Sequence, residues 1–115
     1  MRKSILIFAC MLVFMGCSEN PGPAACGVEN PIENLPWLKN AVQEAQSWEF
    51  SEYSYLIQAS YQGNTVFYFG SCCPFCNWAV IIRDCQGNQI ENVDLGQLKD
   101  QQTIWKPKNS VCENI

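Results

Sequence analysis

Apolar residues recur along this chain first as an unbroken block, then at helical spacing, then at strand spacing. The block runs from Ile5 to Met15, behind Arg2 and Lys3 and ahead of the polar Ser18-Glu19-Asn20. It is too short to span a bilayer as a permanent helix and has the layout of a secretory signal. Further on, Leu35, Leu38, Val42 and Ala45 recur at intervals of three and four, with Lys39, Gln43, Glu44 and Gln46 on the polar flanks. That stripe predicts an amphipathic helix ending near Gln46. Asn34 is placed to cap it, and Pro36 falls in the first turn, where a missing amide hydrogen costs nothing.

Strand spacing follows the helix. Tyr53, Tyr55, Ile57, Ala59 and Tyr61 alternate with mostly polar neighbours, and Gln62-Gly63-Asn64 offers a tight turn into Thr65-Val66-Phe67-Tyr68-Phe69. This is a hairpin signal. A third strand is expected over Trp78 to Asp84, and Gln86-Gly87-Asn88 turns it into a short fourth over Gln89 to Val93. The stretch from Leu95 to Ile115 is open between a helical turn near Gly96-Gln97-Leu98-Lys99 and a covering segment pinned at Cys112. The expected fold is α+β: one N-terminal helix packed on a small antiparallel sheet of about four strands. One helix covers one face of such a sheet. Tyr55, Tyr61 and Tyr68 are the candidates to alternate onto the other face and offer it to a protein, glycan or small hydrophobic ligand. The plainer reading is that they and Trp37, Trp48, Trp78 and Trp105 fill the core and its rim.

Export changes what the rest of the composition means. The segment Phe14-Met15-Gly16-Cys17 is similar to the lipobox of bacterial lipoproteins, with Gly16 before the cleaved bond and the Cys17 thiol as lipid acceptor; Phe14 stands where that family usually has leucine. The expected organisation is a signal peptide over 1–16, a lipidated tether over 17–25, where Pro21, Gly22 and Pro23 deny a regular ladder, and a single domain over 26–115. Plain secretion is the second reading, and an uncleaved membrane anchor the third. Acyl chains worth about 0.8 kcal/mol per buried methylene would make the membrane a partner through Cys17. By the same resemblance Ser18 is not the aspartate that retains some lipoproteins in the inner membrane, so the outer membrane is the expected address.

Removal of 1–16 takes two of the seven basic residues and none of the eleven acidic ones, leaving five against eleven and a net charge of −6. Such a surface repels nucleic acid, which is not an expected partner. The chain has no histidine. This removes Ser-His-Asp and Cys-His nucleophile pairs and the usual neutral-pH base. The carboxylates Glu49, Glu52, Glu91 and Asp94 have no spacing that marks a glycosidase pair.

Apart from Cys10 in the signal and Cys17 at the lipid, six cysteines remain: Cys26, Cys72, Cys73, Cys76, Cys85 and Cys112. A domain of this size has a marginal core, and an even cysteine count in an exported chain reads as a disulfide framework. Setting aside closure of the vicinal Cys72-Cys73 pair leaves twelve of the fifteen pairings. The preferred set joins Cys26 to Cys112 and pairs Cys72 and Cys73, in either order, with Cys76 and Cys85. Two chemical alternatives compete with these staples. Cys73-Pro74-Phe75-Cys76 looks like the CPxC of thioredoxin-like oxidoreductases, which would make Cys73 and Cys76 an exchange pair; there the motif opens a helix, whereas here a strand-like run follows. Cys72, Cys73, Cys76 and Cys85 could also supply thiolates to zinc or copper(I), but the second CxxC of such sites is missing. No metal or cofactor is therefore expected, and a non-catalytic binding, inhibitory or envelope-accessory module is favoured over thiol–disulfide exchange.

Pro31-Ile32-Glu33-Asn34-Leu35-Pro36-Trp37-Leu38, Thr65-Val66-Phe67-Tyr68-Phe69, Cys72-Cys73-Pro74 and Asp84-Cys85-Gln86-Gly87-Asn88 together resemble a family of small bacterial lipoproteins of unknown function. The resemblance covers roughly residues 26–94 and implies no catalytic residue. Members often end in a glycine-rich stretch and a cysteine. Here Gly96 is the one glycine after Gly87, and Cys112 would take the terminal cysteine's part.

Overall fold

The computed structural model describes residues 24–113. The expected signal over 1–16, Cys17 and most of the expected tether over 17–25 lie outside the described residues. Two helices precede a five-stranded sheet: α1 (Pro31–Asn34), α2 (Pro36–Ala45), β1 (Ser54–Tyr61), β2 (Asn64–Ser71), β3 (Ile82–Arg83), β4 (Gln89–Ile90) and β5 (Lys99–Trp105). The sheet order is β4-β3-β2-β1-β5, and every neighbouring pair is antiparallel.

The expected single helix is two. A proline disfavours helical angles in the residue before it, and Leu35, ahead of Pro36, is extended at φ −109° and ψ 106°. The chain breaks there, leaving α1 as one turn. Asn34 therefore does not cap α2: it ends α1, and its amide donates back to the carbonyls of Glu29 and Asn30. The residue at the cap position of α2 is Leu35. The stripe itself is as expected, with Leu38, Val42 and Ala45 buried.

β1 and β2 form a hairpin in full register from Ser54↔Ser71 to Tyr61↔Asn64. Its two-residue turn, Gln62 at φ 53° and Gly63 at φ 82°, is left-handed at both positions, and such turns match the natural twist of paired strands. Leu56 and Phe67 face α2 and pack with Leu38, Val42 and Ala25, with Trp37, Phe69 and Trp105 at the margin. Ile57, Ala59, Val66 and Tyr68 face the other way. That second face is covered by Ile82 and Leu98, with Ile90 and Val93 packed alongside, so the sheet has apolar contacts on both sides.

The strand count rises to five because the ambiguous C-terminal stretch supplies β5, which pairs with β1 from Ser60↔Lys99 to Leu56↔Trp105. A 3-10 turn over Leu95–Gln97, closed by reciprocal bonds between Asp94 and Gln97, leads into it. The expected third strand is shorter than its composition suggests. Residues 77–81 lie outside any strand, and β3 meets β2 only at Phe67↔Arg83.

The two ends of the sheet are furnished differently. At the Thr65 end, Cys26 is bridged to Cys85, and the Trp37 indole donates to the Cys85 carbonyl at 2.7 Å. At the Ser71 end lie the connection from α2 into β1 and the Cys73–Cys76 loop, whose Phe75 ring packs against Phe50 and Tyr53.

Candidate functional site

Three disulfides use all six cysteines of the domain: Cys26–Cys85, Cys72–Cys112 and Cys73–Cys76. The expected Cys26–Cys112 link is not formed, and the direction of β5 is the reason. β5 runs from beside Ser60 to beside Leu56, so the tail after Trp105 emerges at the Ser71 end, where the Val111 amide donates to the Glu52 carbonyl at 3.0 Å. Cys112 is thereby brought to Cys72, while Cys26 is held at the opposite end beside Cys85. Cys73–Cys76 is one of the pairings left open by the sequence, and the vicinal pair stays unclosed. The four cysteines weighed as thiolate ligands are all in disulfides, and among the described residues no group of three or more histidine, cysteine or acidic side chains could hold a metal ion. Neither Cys73 nor Cys76 begins a helix, so the helix-terminus field that lowers a thiol's pKa in CPxC enzymes is missing.

The tyrosines expected on an open face do share the face away from α2, but that face is covered over Tyr68. Tyr68 is buried at 7% exposure, and its hydroxyl donates to Gln101 Oε1 at 2.7 Å. Burial, and secondarily the neighbouring Tyr55, pushes its pKa above the ordinary 10.0. Tyr55 lies across Gly70 so closely that a Cβ there would be 2.6 Å from its ring. Tyr61 is half-buried at the rim. Leu98 and Ile82 cover the face around Tyr68, and a cleft of about 460 Å³ remains at the Tyr61 rim, lined by Val66, Asp84 and Ile90 among others.

An aromatic-walled space lies on the other side. A groove of about 260 Å³ lies between α2, the outer side of β2 and the irregular segment before β3, lined by Glu44, Trp48, Phe69, Trp78, Ile81 and Arg83 among others. Its walls are aromatic: Trp48 meets Phe69 edge-on at 5.1 Å and Trp78 at 5.8 Å. The Trp78 indole donates to the Phe69 carbonyl at 3.0 Å, and Arg83 Nη1 donates to the Gly87 carbonyl at 3.0 Å. Among the described residues the one ion pair is Lys39 with Glu33 at 3.8 Å, so neither Glu44 nor Arg83 has a charged partner. A larger cleft beside Gln46, Ser51, Trp105 and Lys106–Asn109 has a more polar lining and no comparable aromatic wall.

The two indoles pack on each other, so this arrangement can hold an apolar or aromatic group against their exposed sides and orient it by one carboxylate and one guanidinium. The carboxylates Glu49 and Glu52 lie in the α2–β1 connection, and Glu91 and Asp94 in the β4–β5 connection, at opposite ends of β1. Glu49 and Glu52 are thus kept apart from Glu91 and Asp94. Sequence reading had all four tryptophans as core or rim. Trp37 and Trp105 do pack beneath α2, whereas Trp48 and Trp78 wall the groove. One signal was present: Trp78-Ala79-Val80-Ile81 is apolar without alternation, which a half-buried strand would not be. No protein-family model matches this chain, and neither a curated protein nor a solved structure matches it.

Proposed function

We propose that the chain is an extracytoplasmic binding module, held to the cell envelope through lipid on Cys17, with the tryptophan-walled groove as its ligand surface. The observation that carries the reading is a groove of about 260 Å³ whose walls are indole, phenyl and aliphatic groups and whose lining bears one carboxylate and one guanidinium, neither with a charged partner among the described residues. Concave aromatic walls with few polar groups are the usual make-up of sites that select a ligand by shape and orient it by charge. The three disulfides support export, because such bonds persist in oxidising compartments. The lipobox-like Phe14-Met15-Gly16-Cys17 supports the anchor.

Fluorine NMR of the fluorotryptophan-labelled protein, titrated with indole, tests the ligand surface. The Trp48 and Trp78 resonances should shift while Trp37 and Trp105 stay, and Ile81→Glu should abolish the response. Uniform shifts, or none, overturn the groove as the binding site. The anchor is tested separately by fractionation: Cys17→Ser should move the protein from the membrane to the soluble fraction, and retention in the membrane would remove the lipid from the proposal.

A further inference from the structure

The groove borders an unfinished sheet. β2 extends to Ser71, yet β3 pairs with it at Phe67↔Arg83 alone, so the stretch from Phe69 to Ser71 has no strand on the side away from β1. The chain that should have filled the position is present but unpaired. Residues 77–81 read Asn-Trp-Ala-Val-Ile, a composition suited to a strand. None of them shares a backbone–backbone hydrogen bond. What occupies the vacant edge is a side chain: the Trp78 indole on the Phe69 carbonyl at 3.0 Å. Trp78, Val80 and Ile81 are left exposed at 37%, 37% and 42%.

We infer that this edge takes an extended polypeptide segment of a partner by strand addition, with one apolar side chain entering the groove and a basic one beside Glu44. The inference rests on the groove being the ligand surface. Backbone donors and acceptors alternating along an open edge are matched by another backbone, which supplies affinity, while pockets for alternate side chains supply specificity. The incoming segment displaces the Trp78 indole hydrogen bond and shifts that ring against Trp48, but no backbone ladder, since residues 77–81 have none to lose. Residues two apart on a strand share a face, so an apolar residue over Phe69 places the second one along toward the rim. There Glu44 and the chain's excess of acidic over basic residues, eleven against seven, favour a cation, while Arg83, the groove's other charged group, is turned to the Gly87 carbonyl.

β5 is also an edge, but it is guarded. Its pairing with β1 is interrupted by register shifts, Asp100 is left-handed at φ 53°, and its first four residues, Lys99 to Gln102, are polar and exposed. Irregular, charged edges of this kind discourage pairing. The β2 edge has no such guard beyond Trp78.

The test uses the full chain and the acetylated, amidated peptide Thr-Leu-Thr-Lys-Thr, read by fluorotryptophan NMR with indole as the control ligand. Two further peptides carry N-methyl groups, one on the second and fourth residues and the other on the first, third and fifth. Strand addition exposes only one of these sets of amides to β2. One N-methylated peptide should therefore bind about tenfold more weakly or worse, and the other should bind like the parent. Trp78→Phe keeps the ring but removes the competing donor, and should tighten the parent peptide about threefold. Equal behaviour of the two N-methylated peptides overturns strand addition and leaves the groove reading standing. So does a protein that responds to indole and not to the parent peptide. Failure of both indole and peptide removes the groove reading as well.

Discussion

Tyr68 is where the second face of the sheet closes, and it makes the folded protein sensitive to alkali. Its raised pKa means that the folded chain keeps the phenol proton while the unfolded chain releases it near 10.0. Above that pH the unfolded state binds fewer protons, so stability falls with rising pH until the folded phenol also ionises. Melting temperatures taken from neutral pH through 10.0 should drop more steeply for the wild type than for Tyr68→Phe. Parallel curves would show that Tyr68 ionises alike in both states. Its place on the face away from α2 was legible in the sequence, because a period of two assigns faces. Its burial was not, because the covering residue Leu98 lies 30 positions later and returns through a turn that composition left open.

At the scale of elements, the helix was the most readable part, since spacings of three and four are kept through Ala45. Leu38 is fully buried and Lys39 is exposed, so the two substitutions to aspartate separate the faces of α2. Leu38→Asp places a charge without a partner under the helix and should cost several kcal/mol, enough to unfold a marginal domain, on the order of the loss for other buried charges. Lys39→Asp loses only the exposed pair with Glu33 and should cost about 1 kcal/mol or less. Comparable denaturant midpoints for the two would mean that the buried face is misassigned. Strands were read less well, in two opposite ways. Trp78 to Ile81 has strand composition but finds no partner, and Lys99 to Gln102 has loop composition but pairs with β1. Strand propensity reflects what a neighbour offers more than the residue's own backbone, so an edge strand with polar side chains escapes a reading based on hydrophobic alternation.

Across the whole molecule, the disulfides divide by what they close. Cys26–Cys85 and Cys72–Cys112 span separations of 59 and 40 residues, whereas Cys73–Cys76 spans 3. On chain-entropy grounds each long bridge contributes about 4 kcal/mol and the short one about 2. Paired serine substitutions followed by denaturant titration should therefore rank Cys73–Cys76 last. If its removal proved the costliest, loop closure would not be its role. That cysteines would pair was plain from their number, but their partners depended on which end of the sheet β5 runs toward. The tryptophan groove was invisible for the same reason, because its walls come from three segments that only the finished sheet brings together. The Cys26–Cys85 bridge also has a mechanical consequence. A tug on the groove segment passes through Arg83 and Cys85 across the sulfur bond to Cys26, and so reaches the N-terminal side of the chain without loading α1, α2 or the β1–β2 hairpin. A single-molecule pull between Ala24 and Ala79 should meet a short, inextensible covalent path. Once Cys26–Cys85 is reduced, the same pull should run instead through the helices and the hairpin between Ala24 and Ala79 and release their length.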